Sequence, residues 1–267
     1  MPDWFLNLPI PWMVFVVFAA IYVVAACLYL AVVRLAVGDR ARAFKAFSPG
    51  MLSPLGVIFG LLVGFIAVQV WNDFDKARVA VATEASALRA AVLLAESLPD
   101  EQRTHLRALI KGHIEEAVNR EWPSMAHEHL TLTPVSTHLV EALQLTISLK
   151  PQDESQRTAQ REIVSALRTA LNARRQRIII SQSEVGPVKW AAILLMGLCT
   201  LIAIAVVHSD NRLACAMAVT LFATGIALSS LLIAAYSRPF TGEISVKPEL
   251  LQEVVPSETA ASHTTPE

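Results

Sequence analysis

Charged residues are missing from the middle of the four long apolar runs in this chain of 267 residues. Each run reaches the roughly 20 apolar residues that a helix needs to cross a bilayer core of about 30 Å. Proton-coupled carriers and pumps usually need ionisable side chains within the membrane, so their absence argues against ion-coupled transport. A passive pore can work without them. The four runs are Pro11–Leu35, Met51–Trp71, Val188–His208 and Leu213–Tyr236.

Signatures of several other classes of protein are also missing. The three cysteines, Cys27, Cys199 and Cys215, all lie inside apolar runs, so the sequence contains no disulfide framework. No Walker loop, nucleophile elbow, kinase signature or dinucleotide fingerprint occurs, so we expect no catalytic residues, no cofactor and no enzymatic activity. The net charge of −1 does not suggest nucleic-acid binding.

Apolar residues make up 54% of the chain and its mean hydropathy is +0.48, both too high for an ordinary soluble domain. We predict an all-α protein of the lipid bilayer, with four transmembrane helices (two plus two) and a helical extramembrane bundle between the second and third spans. The expected segments are a first transmembrane pair with a short basic linker (1–71), a helical insert (72–187), a second transmembrane hairpin (188–236) and a tail that is disordered toward its end (237–267).

The insert has a composition that favours helices almost throughout. No helix breaker separates the second apolar run from the alanine-rich segment after it until Pro99, so one helix is predicted from about Met51 to Ser97. Trp122–Pro123 is expected to end the next helix. The last insert helix is expected to begin near Asp153, and Pro187 is expected to interrupt or kink it just before the third span. Each insert helix has one apolar face, and these faces must pack on each other or on neighbouring copies, so we expect a homo-oligomer.

The second apolar run contains a stripe of glycines. Gly56, Gly60 and Gly64 lie four residues apart and therefore share one side of a helix. Such a stripe either lets another helix pack closely or lines a pore, where glycine leaves a wider lumen, and in an oligomer one helix could do both. Gln69, in the same run, is a further candidate for pore lining or helix packing.

Two pairs of charged residues are candidates for a pore mouth. Asp73 and Asp75 follow the second run and could attract cations or bind calcium, but residues two apart on a helix point in different directions, which favours a solvated helix start. Arg174 and Arg175 belong to the basic group Arg174-Arg175-x-Arg177, which precedes the third run and could bind anionic lipid headgroups or draw anions toward a vestibule. The alternative is that they simply flank a membrane helix.

The histidines do not form a recognisable metal site. His127-Glu128-His129 lacks the His-Glu-x-x-His spacing of zinc proteases, so we expect surface histidines in a loop and no bound metal.

The sidedness of the insert is predicted from basic residues. The two short linkers between spans hold Arg34, Arg40, Arg42, Lys45 and Arg212, whereas residues 1–10 hold neither Lys nor Arg. The positive-inside rule therefore favours linkers in the cytoplasm and an insert on the extracytoplasmic side.

Three short motifs occur after the second run, within the insert and after the fourth run. They are Glu84-Ala85 with Leu88, Glu121-Trp122-Pro123-x-Met125, and Tyr236-Ser237-Arg238-Pro239-Phe240-Thr241-Gly242-Glu243. These motifs resemble those of the bacterial bestrophin-like membrane proteins, which have the same order of two spans, helical insert, two spans and short tail. The resemblance covers about Pro54 to Pro248.

The resemblance implies a location in the bacterial inner membrane, assembly around a central pore and the passage of small anions, because bestrophins are pentameric anion channels. The Pro-Phe-Gly segment of bestrophins, echoed by Pro239, Phe240 and Gly242, leads there into an acidic calcium-binding stretch that is missing here, which argues against calcium gating. Bestrophins keep the insert in the cytosol, opposite to the charge pattern. The alternative function is a non-transporting membrane scaffold or sensor whose insert binds a partner or lipid.

Overall fold

The computed structural model of the chain describes residues 8–37, 44, 47–127 and 136–254, and in these ranges it contains helices and no strand. The prediction of an all-α fold is confirmed. The α-helices are α1 (Ile10–Leu35), α2 (Leu52–Leu94), α3 (Asp100–Glu116), α4 (Trp122–Ala126), α5 (Thr137–Ser148), α6 (Glu154–Ser181), α7 (Pro187–Val207), α8 (Arg212–Tyr236) and α9 (Glu249–Gln252).

Within the described ranges, four helical stretches are long and apolar enough to cross a membrane, and they correspond to the four apolar runs of the sequence. They are Ile10–Leu35, Pro49–Ser97, Pro187–Val207 and Arg212–Tyr236.

Helix α2 continues without interruption through 43 residues. At 1.5 Å per residue it is about 65 Å long, roughly twice the thickness of the bilayer core. Its continuous apolar run ends at Trp71, charged residues recur from Asp73 onward, and no proline or glycine occurs between Gly64 and its end at Leu94. The second half of α2 therefore lies beyond the membrane-spanning part.

The chain divides into two compact units. The membrane unit consists of the described residues within Met1–Asn72, Glu184–Arg238 and Gly242–Ile244, and the insert unit of those within Asp73–Ser183, Pro239–Thr241 and Ser245–Glu267. Each unit has its own apolar core.

The core of the membrane unit is formed by α1, α7, α8 and the first part of α2. The Phe59 and Phe222 rings pack with their centroids 5.3 Å apart, and the Tyr22 hydroxyl lies 2.9 Å from the Thr224 hydroxyl oxygen. At the turn between α7 and α8, the Asn211 side chain accepts hydrogen bonds from two backbone N–H groups of α8 and caps that helix.

The core of the insert unit lies between α3, α5, α6 and the second part of α2. It is closed by residues that follow the fourth span. Fully buried side chains in this core are Leu88, Leu106, Ile110, Leu139, Ile163, Leu167 and Leu251.

One predicted helix end differs from the structure. Trp122–Pro123 does not end a helix, because the chain widens into a π turn at Ala117–Glu121 and continues as α4. Proline lacks an N–H and would clash with the carbonyl four residues earlier in a regular α-helix, and a wider turn relieves both problems. At the other end of the insert, the helix is interrupted before the third span: α6 ends at Ser181, and α7 starts with Pro187 at its first position.

Candidate functional site

The glycine stripe of α2 is open on the side where a side chain would project. A Cβ atom added at Gly56, Gly60 or Gly64 would meet no atom within 4 Å. At Gly197 of α7, by contrast, a Cβ would lie 3.1 Å from the Ile226 side chain. The stripe therefore does not serve packing within the described part of the chain, and it is available to a neighbouring copy or to a pore.

Gln69 has a partner within the membrane unit. Its side-chain oxygen accepts a hydrogen bond of 2.6 Å from the Lys189 ammonium group in the first turn of α7. Any role of Gln69 in a pore therefore includes the positive charge of Lys189.

The two acidic candidates lie within continuous helix and not at a helix start. Asp73 pairs with Lys76 at 3.4 Å, one turn further along α2. Asp75 is exposed. Among the described residues, no group of three or more His, Cys, Asp or Glu side chains could hold a metal ion. His127 is described, whereas Glu128 and His129 lie outside the described residues.

The two basic candidates have different environments, although they are adjacent in sequence. Arg175 is exposed, but Arg174 is buried and its guanidinium contacts Glu121 at 2.6 Å. Arg174 therefore does not present its charge to solvent as a pore-mouth residue would, because that charge is balanced inside the insert unit. The reason is the helical register, which points Arg174 into the core of the bundle.

Arg177 lies at the centre of a buried network of charged side chains that also contains Arg174, Glu84 and Glu121. It is fully inaccessible to solvent and contacts two carboxylates from other elements. Its Nε and Nη2 donate to the two oxygens of Glu84 on α2 at 2.8 and 3.1 Å, and Nη2 also donates to Glu121 at 2.8 Å. The Trp122 ring lies against the guanidinium, with Cζ 4.5 Å from the ring centroid, a favourable cation–π arrangement.

The charges of the network fix its protonation state. Burial alone would raise the pKa of Glu84, but the Arg177 charge and the hydrogen bonds from His113 and Arg177 lower it to about 2. Burial alone would lower the pKa of Arg177, but the charges and hydrogen bonds of Glu84 and Glu121 raise it above its usual value. Both groups remain charged at physiological pH.

His113 extends the network to a third and a fourth helix. Its side chain is fully buried on α3, with Nε2 2.9 Å from a Glu84 oxygen and Nδ1 3.0 Å from the Ser136 hydroxyl. Ser136 is the N-cap of α5 and accepts a hydrogen bond from the Leu139 N–H. The buried network therefore joins α2, α3, α5 and α6.

Trp122 connects the network with the segment that follows the fourth span. Its indole N–H donates to the Val246 carbonyl at 3.0 Å, and its ring packs edge-on against Phe240 at 5.8 Å. The Thr241 hydroxyl donates to the Ala126 carbonyl nearby. Two of the short motifs, around Glu121-Trp122-Pro123 and around Pro239-Phe240, are thus in direct contact within the insert unit.

Gly242 has a specific conformational role in the third motif. Its φ of 83° lies in the left-handed region, which residues with a Cβ adopt at an energetic cost.

Sequence reasoning noted Glu84 and Glu121 only as parts of motifs, Arg177 only as a member of the basic group Arg174-Arg175-x-Arg177, and His113 only as one of the histidines of the insert. None of the four was predicted to lie in a buried network. A signal was nevertheless present. Glu84 occupies an otherwise apolar stripe of α2 that includes Ala77, Val81, Leu88 and Ala91. An ionisable residue at a core position of an amphipathic helix indicates a buried partner of opposite charge.

The profile of the Bestrophin-like domain family matches residues 19–251. The chain belongs to the Bestrophin-like family. The resemblance seen in the three short motifs is thereby confirmed. No curated protein sequence matches the chain.

Solved structures show the same fold at low sequence identity. Two variants of a bacterial bestrophin homologue from Klebsiella pneumoniae match over 90% of this chain. The first has a TM-score of 0.68 and 12% identity over 97% of its own length, and the second 0.65 and 10% over 96%. A crystal structure of a membrane protein matches with a TM-score of 0.65 and 12% identity, over 89% of this chain and 95% of that one.

Proposed function

We propose that this bestrophin-like protein is a passive anion channel of the bacterial inner membrane, formed by several copies whose α2 helices face a central pore. The observation that carries the proposal is the unoccupied glycine stripe of α2 in a chain of this family. Bestrophins are anion channels, and membership of the wider family supports the same class of function here.

The small buried fraction of α2 within the membrane unit supports the proposal that this helix faces the central pore of an oligomer. Only one narrow side of its apolar part is buried, through Phe59, Ile66 and Val70. Its remaining surface, including the stripe, has to be covered by lipid or by other copies. Helices with small residues approach one another closely in membranes, and glycine next to a lumen leaves room for a permeating ion.

The composition of the spans supports passive conduction. The apolar runs have no Asp, Glu, Lys or Arg in their central parts, so the membrane unit lacks the intramembrane charges on which proton-coupled carriers depend. Hydroxyl groups, backbone dipoles and apolar constrictions are sufficient for a channel that conducts down a gradient.

Anion selectivity is proposed to involve exposed cations. Arg175 is exposed, in contrast to its buried neighbour Arg174, and Lys189 contacts Gln69. Asp73 and Asp75 oppose this tendency locally. Replacing Arg175 with glutamine is therefore expected to reduce, without abolishing, the preference for anions.

The charge pattern continues to favour an extracytoplasmic insert, although bestrophins keep theirs in the cytosol. Ser155→Cys places a thiol at an exposed position of α6, and a membrane-impermeant maleimide added to intact cells tests the orientation. Labelling before lysis supports the charge pattern, and labelling only after lysis supports the cytosolic placement.

The channel proposal is tested by planar-bilayer recording of purified wild type, Gly60→Leu and Gly225→Leu. Gly225 lies in α8 and is the matched control, because a Cβ there also meets no atom within 4 Å. We expect Gly60→Leu to alter conductance or gating while the oligomer, measured by native mass spectrometry, is retained. We expect Gly225→Leu to behave like wild type. If wild type carries no current across a range of anions, cations, pH and calcium, the scaffold or sensor function replaces the channel.

A further inference from the structure

We propose that His113 is a pH-sensitive residue that controls the first turn of α5 in the insert unit. The neutral imidazole and Ser136 keep this turn folded, and uptake of a proton by the imidazole unfolds it. The proposal concerns the conformation of the insert and does not depend on ion conduction.

A neutral His113 with its proton on Nε2 satisfies the hydrogen bonds around it. Glu84 remains ionised and can only accept hydrogen bonds, so His113 Nε2, 2.9 Å from its oxygen, must carry a proton. Nδ1 is then free to accept the hydrogen of the Ser136 hydroxyl, 3.0 Å away. The Ser136 oxygen in turn accepts from the Leu139 N–H. In this arrangement both ring nitrogens of His113, the Ser136 hydroxyl and the Leu139 N–H each have a hydrogen-bond partner.

The charge balance also favours the neutral form. The buried network contains two arginines, Arg174 and Arg177, and two carboxylates, Glu84 and Glu121. These four charges cancel. A second proton on His113 would leave one unbalanced positive charge at a site from which water is excluded.

Protonation of His113 also removes the hydrogen bond that the Ser136 hydroxyl donates to Nδ1. Once Nδ1 carries a hydrogen it must donate to the Ser136 oxygen, and the Ser136 hydroxyl can no longer donate to His113. A buried donor without a partner is costly. Ser136 is the N-cap of α5, and its side chain holds the first turn of that helix through one bond of 3.4 Å from the Leu139 N–H. Unfolding of the first turn of α5 lets water solvate the charged imidazole and hydrogen-bond to the Ser136 hydroxyl.

Other titratable groups lie close to His113, and the test distinguishes their effects from that of His113 by replacing the histidines one at a time. His138, on α5, contacts Glu116 of α3 at 3.2 Å and is partly exposed. On the inner side, Glu84 of α2 and Arg177 of α6 face His113 directly or through a shared oxygen. Histidine is the side chain that ordinarily changes charge between pH 5 and 8, so both His113 and His138 have to be replaced individually.

The test is hydrogen exchange of the full-length protein in lipid nanodiscs at pH 7.5 and pH 5.5, corrected for intrinsic exchange with an unfolded reference. In wild type we expect amide protection in the first turn of α5 to fall by roughly tenfold or more at pH 5.5, the scale of one unsatisfied buried group. His113→Gln should lose this response. His105→Gln, at an exposed position of the same helix, and His138→Gln should keep it.

Ser136→Ala provides a second variant if His113→Gln does not fold. It removes the cap oxygen, so the first turn of α5 should already be poorly protected at pH 7.5 and should change little on acidification. Histidine nitrogen NMR of wild type gives the protonation state directly, with neutral His113 carrying its proton on Nε2 at pH 7.5. Equal protection at both pH values, a response that persists in His113→Gln, or a charged His113 at pH 7.5 would each overturn the proposal.

Discussion

Replacing Glu84 with glutamine removes one charge from the most deeply buried ion pair of the insert unit. Arg177 would keep its contact with Glu121 but lose two charge-assisted hydrogen bonds to Glu84, of 2.8 and 3.1 Å. Removing one partner of a buried pair costs about 3–5 kcal/mol, because the other charge is left poorly compensated. Since 1.4 kcal/mol corresponds to a factor of ten, amides that exchange only when the insert unfolds should exchange two to four powers of ten faster, by rough estimate.

Glu96 is a matched control for this change. It pairs with Arg103 and Arg107, but its side chain is 53% exposed, whereas that of Glu84 is inaccessible. Exposed pairs contribute about 0–1 kcal/mol, so Glu96→Gln should change exchange less than about tenfold. Hydrogen exchange of the slowest amides of α3 and α6, measured for both variants in nanodiscs, decides the question. If Glu84→Gln and Glu96→Gln had similar effects, burial of the network would not determine its contribution to stability.

Three further outcomes follow from individual contacts. The pKa of Glu84 is lowered from 4.5 to about 2, so the ionised carboxylate should stabilise the insert fully above pH 4.5. This stabilisation should disappear as the pH falls toward 2. Acid titration of insert unfolding should show the loss in wild type and not in Glu84→Gln. Trp122→Phe keeps the ring but removes the hydrogen bond to Val246, so stability should fall by about 1 kcal/mol, with faster amide exchange near Val246 as the readout. Gly197→Leu should lower the melting temperature of the membrane unit, because a Cβ at this position already lies 3.1 Å from the Ile226 side chain and a larger side chain would clash with it. Gly225→Leu should not, because a Cβ there meets no atom within 4 Å.

The order of helices could be predicted because it depends on local sequence. Continuous apolar runs defined the spans, and the absence of breakers after Gly64 predicted the long helix α2. The same reasoning was wrong at Trp122–Pro123, where a π turn accommodates the proline. A π turn depends on how Glu121 and Trp122 are held by distant residues, and no local pattern specifies it.

The buried network could be predicted only in part, because it depends on which helix faces meet in space. Glu84, Glu121 and Arg177 are far apart in the sequence, and their contacts arise only when three elements pack together. Sequence periodicity identifies each residue as lying on a core face, but it does not give the relative rotation of the helices. Arg174 illustrates the same limit: its position beside Arg175 suggested a basic surface patch, whereas the packing of α6 buries it.

The reversal potential of wild-type protein in a planar bilayer with a chloride gradient tests the central proposal most directly. A passive anion channel predicts a current whose reversal potential lies close to the equilibrium potential of chloride and follows it when the gradient is inverted. A complete lack of current, or reversal near the equilibrium potential of the cation, would contradict the proposal.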